Sequence, residues 1–267
     1  MQMVRNAVIS SRRRKGTRHA ARRSKRWTVV GILGLLVAIF AGVANLPGKP
    51  QIGSGGVFDR GLLPAQDVPV STTGAAADAF ALLSELGVQD ELPLGLAEYQ
   101  RSAFGQRWSD DVEVEFGHNG CDTRNDILKR DLLNPRFRPG TRDCVVVSGT
   151  LQDPYSGTTH EFLRGEGTSD LVQIDHVVAL ANAWRSGAAS WDPATRQAFA
   201  NDPKNLQATL KQENQRKGAQ AADGWLPSNP AFACGYATAQ IEVKHAYALS
   251  VTTAERQALV QALQTCT

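Results

Sequence analysis

Acidic residues are missing from the first 26 positions, which instead carry Arg5, Arg12, Arg13, Arg14, Lys15, Arg18, Arg22, Arg23, Lys25 and Arg26. Charge of either sign is missing from the next 20, Trp27 to Leu46. No C-x-x-C pair and no H-x-x-x-H pair occurs anywhere, which argues against a structural zinc site. The H-E-x-x-H signature of a metalloprotease is likewise absent. No internal repeat is visible, so the chain is not a solenoid.

These gaps change how the net charge of +3 is to be read. Removing the ten basic residues of the tail from the 29 in the chain leaves 19 against 26 acidic residues, a balance of −7. The basic character belongs to the tail and not to the folded part. Any nucleic-acid binding by the folded part must then use a local basic groove. The uncharged run Trp27–Leu46 would span roughly 30 Å as a helix, the thickness of a bilayer core. Its length favours an uncleaved transmembrane anchor. A signal peptide cleaved near Ala44 is the alternative, with Gly42-Val43-Ala44 as the small-residue site. Either way the basic tail stays inside and the rest lies outside the membrane.

The four cysteines, Cys121, Cys144, Cys234 and Cys266, all follow the apolar run. An even number outside a membrane reads as two disulfides. Three pairings are possible. Loop-closure cost favours the neighbouring one, Cys121–Cys144 and Cys234–Cys266.

The domain plan is a cytoplasmic tail over 1–26, the apolar segment 27–46, a Gly/Pro/Ser-rich linker over 47–74 and an extracytoplasmic domain over 75–267. Within that domain the spacing predicts helices over Ala75–Leu86, Cys121–Leu133 (stopped by Asn134-Pro135), Ala179–Trp184, Thr195–Ala200, Lys211–Gln220, Ala237–Leu249 and Ala254–Leu263. Strands are expected at Asp143–Leu151, Thr158–Leu163 and Leu171–Val178, with a short extended piece at Asn205–Ala208. The mixture is a small α+β fold.

The candidate chemistry begins at Asp175-His176, at the end of a strand-like run. Asn205 follows 29 residues after His176, and Asn214 nine after Asn205. Lys217, three beyond Asn214, shares its helix face. With FGQRW (Phe104–Trp108), CDTRNDIL (Cys121–Leu128), QIDHVVALANAW (Gln173–Trp184), FANDPKNL (Phe199–Leu206), ENQRKG (Glu213–Gly218) and WLP (Trp225–Pro227), the chain resembles HNH endonucleases of the secreted or membrane-anchored actinobacterial type, related to GmrSD-type nuclease domains. The resemblance covers about Ala79 to Cys266.

It implies a ββα-metal core, also called a His-Me finger, within a helix-rich domain. It implies hydrolysis of nucleic acid, with DNA favoured. His176 would be the general base and Asn205 would hold the loop that aims it. Asp175 and Asn214 would ligate a divalent cation, Mg²⁺ or Mn²⁺, through oxygen. Lys217 and Arg124 would grip phosphate, although Arg124 could instead cap or pair with Asp122 or Asp126. Trp108, Trp184, Trp191 and Trp225 read as core residues. His118, His160 and His245 read as structural. A binding module that kept the fold and lost catalysis is the competing reading.

Overall fold

The computed structural model describes residues 74–266. The tail, the apolar segment and most of the linker lie outside them, as does the anchor expected at 27–46. Among the described residues no helix is long and apolar enough to cross a membrane.

Helix α1 is Gly74–Glu85. A short 3-10 turn at Arg101–Phe104 precedes α2, Thr123–Asp131. Asp122 starts α2 by accepting the Asn125 amide, which satisfies one of the donors a helix start leaves free. Strands β1 (Leu132–Phe137), β2 (Val146–Gln152) and β3 (Thr159–Leu163) follow as an antiparallel sheet in that order. Asn134-Pro135 was expected to stop a helix running to Leu133. The helix ends at Asp131, and the dipeptide sits inside β1. β1 is an edge strand, where a missing amide is tolerated. Asn134 takes φ 49° next to a break in the pairing register, a bulge that absorbs the irregularity.

The second sheet has two strands, β4 (Val172–His176) and β5 (Leu206–Leu210), paired antiparallel with His176 opposite Leu206 and Asp175 opposite Gln207. The long connection between them carries α3 (Leu180–Arg185) and α4 (Pro193–Asn201). Helix α5, Lys211–Lys217, follows β5 without a loop and packs on both strands. The order strand, strand, helix is therefore present. Gly218, in the left-handed region at φ 54°, ends α5 by returning its amide to the Asn214 carbonyl, three residues short of the expected Gln220. Helices α6 (Ala233–Ala246) and α7 (Thr253–Leu263) close the chain. Thr252 caps α7 by accepting the Glu255 amide.

Four packing centres fix these pieces. Val172, Ile174, Leu206 and Ala208 of the two-stranded sheet pack against α2 and the three-stranded sheet. Phe104, Trp184 and Phe199 hold the long connection beneath the 101–104 turn. α1, α6 and α7 form a helical cluster around Ile241 and Leu259, and α6 also joins other centres, placing Val243 with Trp184 and Phe199 and Tyr236 with Tyr155 and Val177 in the fourth. The disulfides are Cys121–Cys144 and Cys234–Cys266, the neighbouring pairing that loop closure favours.

Candidate active site

Side chains alternate across a strand, and this decides what β4 can offer. Asp175 and His176 are adjacent, so they leave on opposite faces.

The His176 ring is 93% buried, with 7% exposure, and it forms part of the wall of a cleft of about 270 Å³. Its Nε2 lies 2.9 Å from the Ala200 carbonyl oxygen. A carbonyl only accepts, so Nε2 carries the proton and Nδ1 keeps a lone pair. The Trp108 ring stacks on the imidazole with centroids 6.1 Å apart and planes 8° apart. Burial lowers the His176 pKa from 6.5 to about 3, and the charges of Arg101, Lys217 and Arg107 push the same way. Burial and these charges all favour the neutral ring.

Asn205 fixes the segment that follows His176. It is fully buried; its Oδ1 accepts the Val178 amide at 2.8 Å, and its own carbonyl accepts the Val177 amide at 2.8 Å. Asn205 cannot reach a substrate. It ties the start of the long connection to the entry of β5.

Asp175 points the other way, into the protein. It is 4% exposed. Its carboxylate accepts the Tyr155 hydroxyl at 2.8 Å and the Lys217 ammonium at 3.0 and 3.1 Å. Burial pushes the Asp175 pKa up, and Lys217 and Tyr155 pull it back. The same carboxylate, together with burial, drives the Tyr155 pKa well above its ordinary value. Lys217, fully buried, also donates to the His176 carbonyl at 2.7 Å. Lys217 was expected to hold phosphate. With no exposed surface and both partners internal, it instead cross-links α5 to β4.

Asn214 lines a second cleft, of about 440 Å³, beside the first. Its amide nitrogen donates to Gln173 at 2.8 Å. Gln173 and Asp175 share a face of β4, and α5 lays Asn214 on the first and Lys217 on the second. The Asp175 oxygens are buried and taken by two donors, so they are not open to share a cation with Asn214 at the cleft wall. As arranged, the pair does not fit a divalent ion, because an ion at Asp175 would meet the Lys217 ammonium. Among the described residues no group of three or more His, Cys, Asp or Glu side chains is placed to hold a metal.

Arg124 also lines the second cleft. Its Nη2 donates to the Ser169 and Val172 carbonyls at 2.9 and 3.1 Å, and burial lowers its pKa. It forms no ion pair with Asp122 or Asp126. The two clefts share Arg101, Arg107 and Trp108. Trp108 is half-buried, packed against the core of the two sheets and lining both clefts, and the Arg107 guanidinium lies 5.5 Å from its ring centre. The sequence offers Arg107 only inside the FGQRW string, offers Trp108 there and as a core residue, and does not single out Arg101 or Tyr155. The string itself was the available signal for the first two. For Tyr155, 20 residues from Asp175, no local pattern existed.

Residues 122–262 match the family model described as GmrSD restriction endonucleases, C-terminal domain. A protein of Arthroderma benhamiae described as "Uncharacterized secreted protein" is 44% identical over 194 residues, covering 72% of this chain and 86% of that one. That relative is fungal, so the narrower actinobacterial origin of the resemblance finds no support. No solved structure matches the chain.

Proposed function

The chain belongs to the GmrSD restriction endonuclease C-terminal domain family, and from that membership we propose that it is an HNH-type endonuclease that hydrolyses phosphodiester bonds of nucleic acid, DNA in the first instance, with His176 as general base. The observation that carries the reading is the His176 ring. Its Nε2 proton is held by the Ala200 carbonyl, and the residue lines a cleft that Arg101 and Arg107 also line. A base must have a free lone pair to act, and the Ala200 contact leaves that lone pair on Nδ1. Nδ1 takes a proton from water, the water oxygen attacks phosphorus, and the 3′ oxygen departs. Asn205 keeps the ring aimed by locking the backbone at Val177 and Val178.

Nucleases of this kind generally draw on a divalent cation, so Mg²⁺ or Mn²⁺ is the cofactor to test. Asn214 offers an amide oxygen on the cleft wall, and Asp175 becomes available only if Lys217 is displaced. No step is assigned to the ion. The engaged state of Asp175 is what favours the rival, a binding module of the same fold without catalysis.

The deciding experiment is plasmid cleavage by the full chain with Mg²⁺, with Mn²⁺ and with chelator, beside His176→Ala. Cleavage by the wild type that disappears in His176→Ala, with unchanged circular dichroism, supports the assignment. Undiminished cleavage by the variant removes His176 from the mechanism, and no cleavage by either chain under any condition favours the binding module. An extracytoplasmic site of action, by a retained anchor or by cleavage near Ala44, is part of the same proposal. The mass of the mature N-terminus decides between those two forms.

A further inference from the structure

We propose that Arg101 and Arg107 form a phosphate clamp across the mouth of the His176 cleft, and that they, rather than Lys217, hold the substrate phosphate that His176 attends. The inference rests on the nuclease reading and names the residues that bind its substrate.

Four observations converge. Both arginines are exposed and line both adjoining clefts. Neither has a carboxylate partner among the described residues, whereas Lys211 pairs with Asp170 and Arg130 with Asp131. The inner cleft has no acidic side chain in its wall, so two guanidinium groups face it uncompensated in a domain whose overall charge is negative. Their position is also built. The chain between them turns at Gly105, φ 74°, where an added Cβ would stand 2.8 Å from the Gln197 amide oxygen. That turn brings position 107 back to the cleft that position 101 already lines. Trp108, also in the left-handed region at φ 57°, then lies parallel to the His176 ring beneath the Arg107 guanidinium. A non-glycine residue held there has a conformation its surroundings impose. Base, tryptophan and guanidinium are thereby assembled from sequence positions 68 and 69 residues from His176.

The chemistry selects the ligand. A guanidinium is a planar fork that pairs two donors with two phosphate oxygens and stays charged. Arg124 cannot play this part as freely, since one of its nitrogens is committed to two backbone carbonyls. Lys217 cannot play it at all. Two forks beside a neutral base suit a phosphodiester, whose non-bridging oxygens gain charge as water attacks.

The test reads binding and catalysis separately. In the full chain carrying His176→Ala, the affinity for a duplex oligonucleotide is measured from about 50 to 200 mM salt, where each lost phosphate contact lowers the log–log slope by about 0.9. Arg101→Ala and Arg107→Ala are each expected to lower the slope by about that amount relative to the His176→Ala parent. Arg138→Ala, an exposed arginine on the β1–β2 connection, is expected to leave it unchanged. On the wild-type background the same two variants should lose at least tenfold in kcat/KM, and Arg107→Lys should recover the salt slope without recovering kcat/KM. Unchanged slopes in Arg101→Ala and Arg107→Ala beside normal cleavage would overturn the clamp alone. So would an equal fall in Arg138→Ala. A parent chain that neither binds nor, with His176 restored, cleaves nucleic acid would overturn the nuclease reading and the clamp with it.

Discussion

A histidine with one nitrogen tied to a carbonyl and its ring under a tryptophan gives a sharp pH signature. His176 has a pKa of about 3 in the fold and about 6.5 in an unfolded chain. As pH falls below 6.5, the unfolded chain takes up the proton first. The stabilisation is thus fully present above pH 6.5 and is lost on acidification, by about 1.4 kcal/mol per pH unit, down to the folded value. Urea unfolding of wild type and His176→Ala at pH 7 and pH 5 should differ in their pH sensitivity by roughly 2 kcal/mol. Equal sensitivity would mean that the ring titrates in the fold as it does in solution. Cleavage should likewise show no falling limb centred near pH 6.5, because the base is already neutral there. The candidacy of His176 can be read from its place after an apolar run and its spacing to Asn205 and Asn214. Its tautomer cannot, because Ala200 lies 24 residues away on a helix end that no spacing rule connects to it.

At the scale of elements, the unit β4–β5–α5 is joined through a buried ion pair. Lys217 reaches from α5 to both Asp175 and the His176 carbonyl, so it braces the strand that carries the base. Removing one partner of a buried pair leaves the other charge without compensation, which costs about 3–5 kcal/mol. Lys217→Met should therefore lose that much stability to urea. Asp175→Asn combined with Lys217→Met should lose clearly less than the single lysine change, since no unpaired charge remains. A single change within about 1 kcal/mol of wild type would show that the pair contributes little. Most elements were readable beforehand because their periodicity is local: helix over Thr253–Leu263, strand over Val172–His176, helix over Lys211–Lys217. The role of Lys217 was misjudged for a related reason. Helical spacing placed Lys217 beside Asn214, but the pitch of 3.6 residues per turn is compatible with either an open or a buried edge of that face. Only packing against β4 chooses between them. The Asn134-Pro135 error has the opposite origin, a local stop signal overridden by an edge strand with a bulge.

Across the whole molecule, the two disulfides tie different regions. Cys121–Cys144 joins the start of α2 to the approach to β2, next to the sheets that carry the site. Cys234–Cys266 joins the first turn of α6 to the residues after α7, within the helical cluster of α1, α6 and α7. Their sequence separations are 23 and 32, for which the chain-entropy account gives about 3–4 kcal/mol each. That pairing could be read from the sequence because closure cost depends only on separation. The functional weight of each bridge could not, because it depends on which cluster each one closes. His176 is held by Trp108, Ala200 and Asn205, and α6 reaches that surrounding through Val243 and through Gln240, which donates to the Val177 carbonyl, roughly two turns along the helix from Cys234. Replacing both Cys234 and Cys266 by serine should therefore lower the melting temperature by roughly 10 °C while leaving cleavage at 25 °C close to wild type. Calorimetry and the plasmid assay on one preparation read both quantities. An unchanged melting temperature would mean the bridge adds nothing to the folded chain. A loss of cleavage at 25 °C by a still-folded variant would mean that the bridge bears on the cleft through α6.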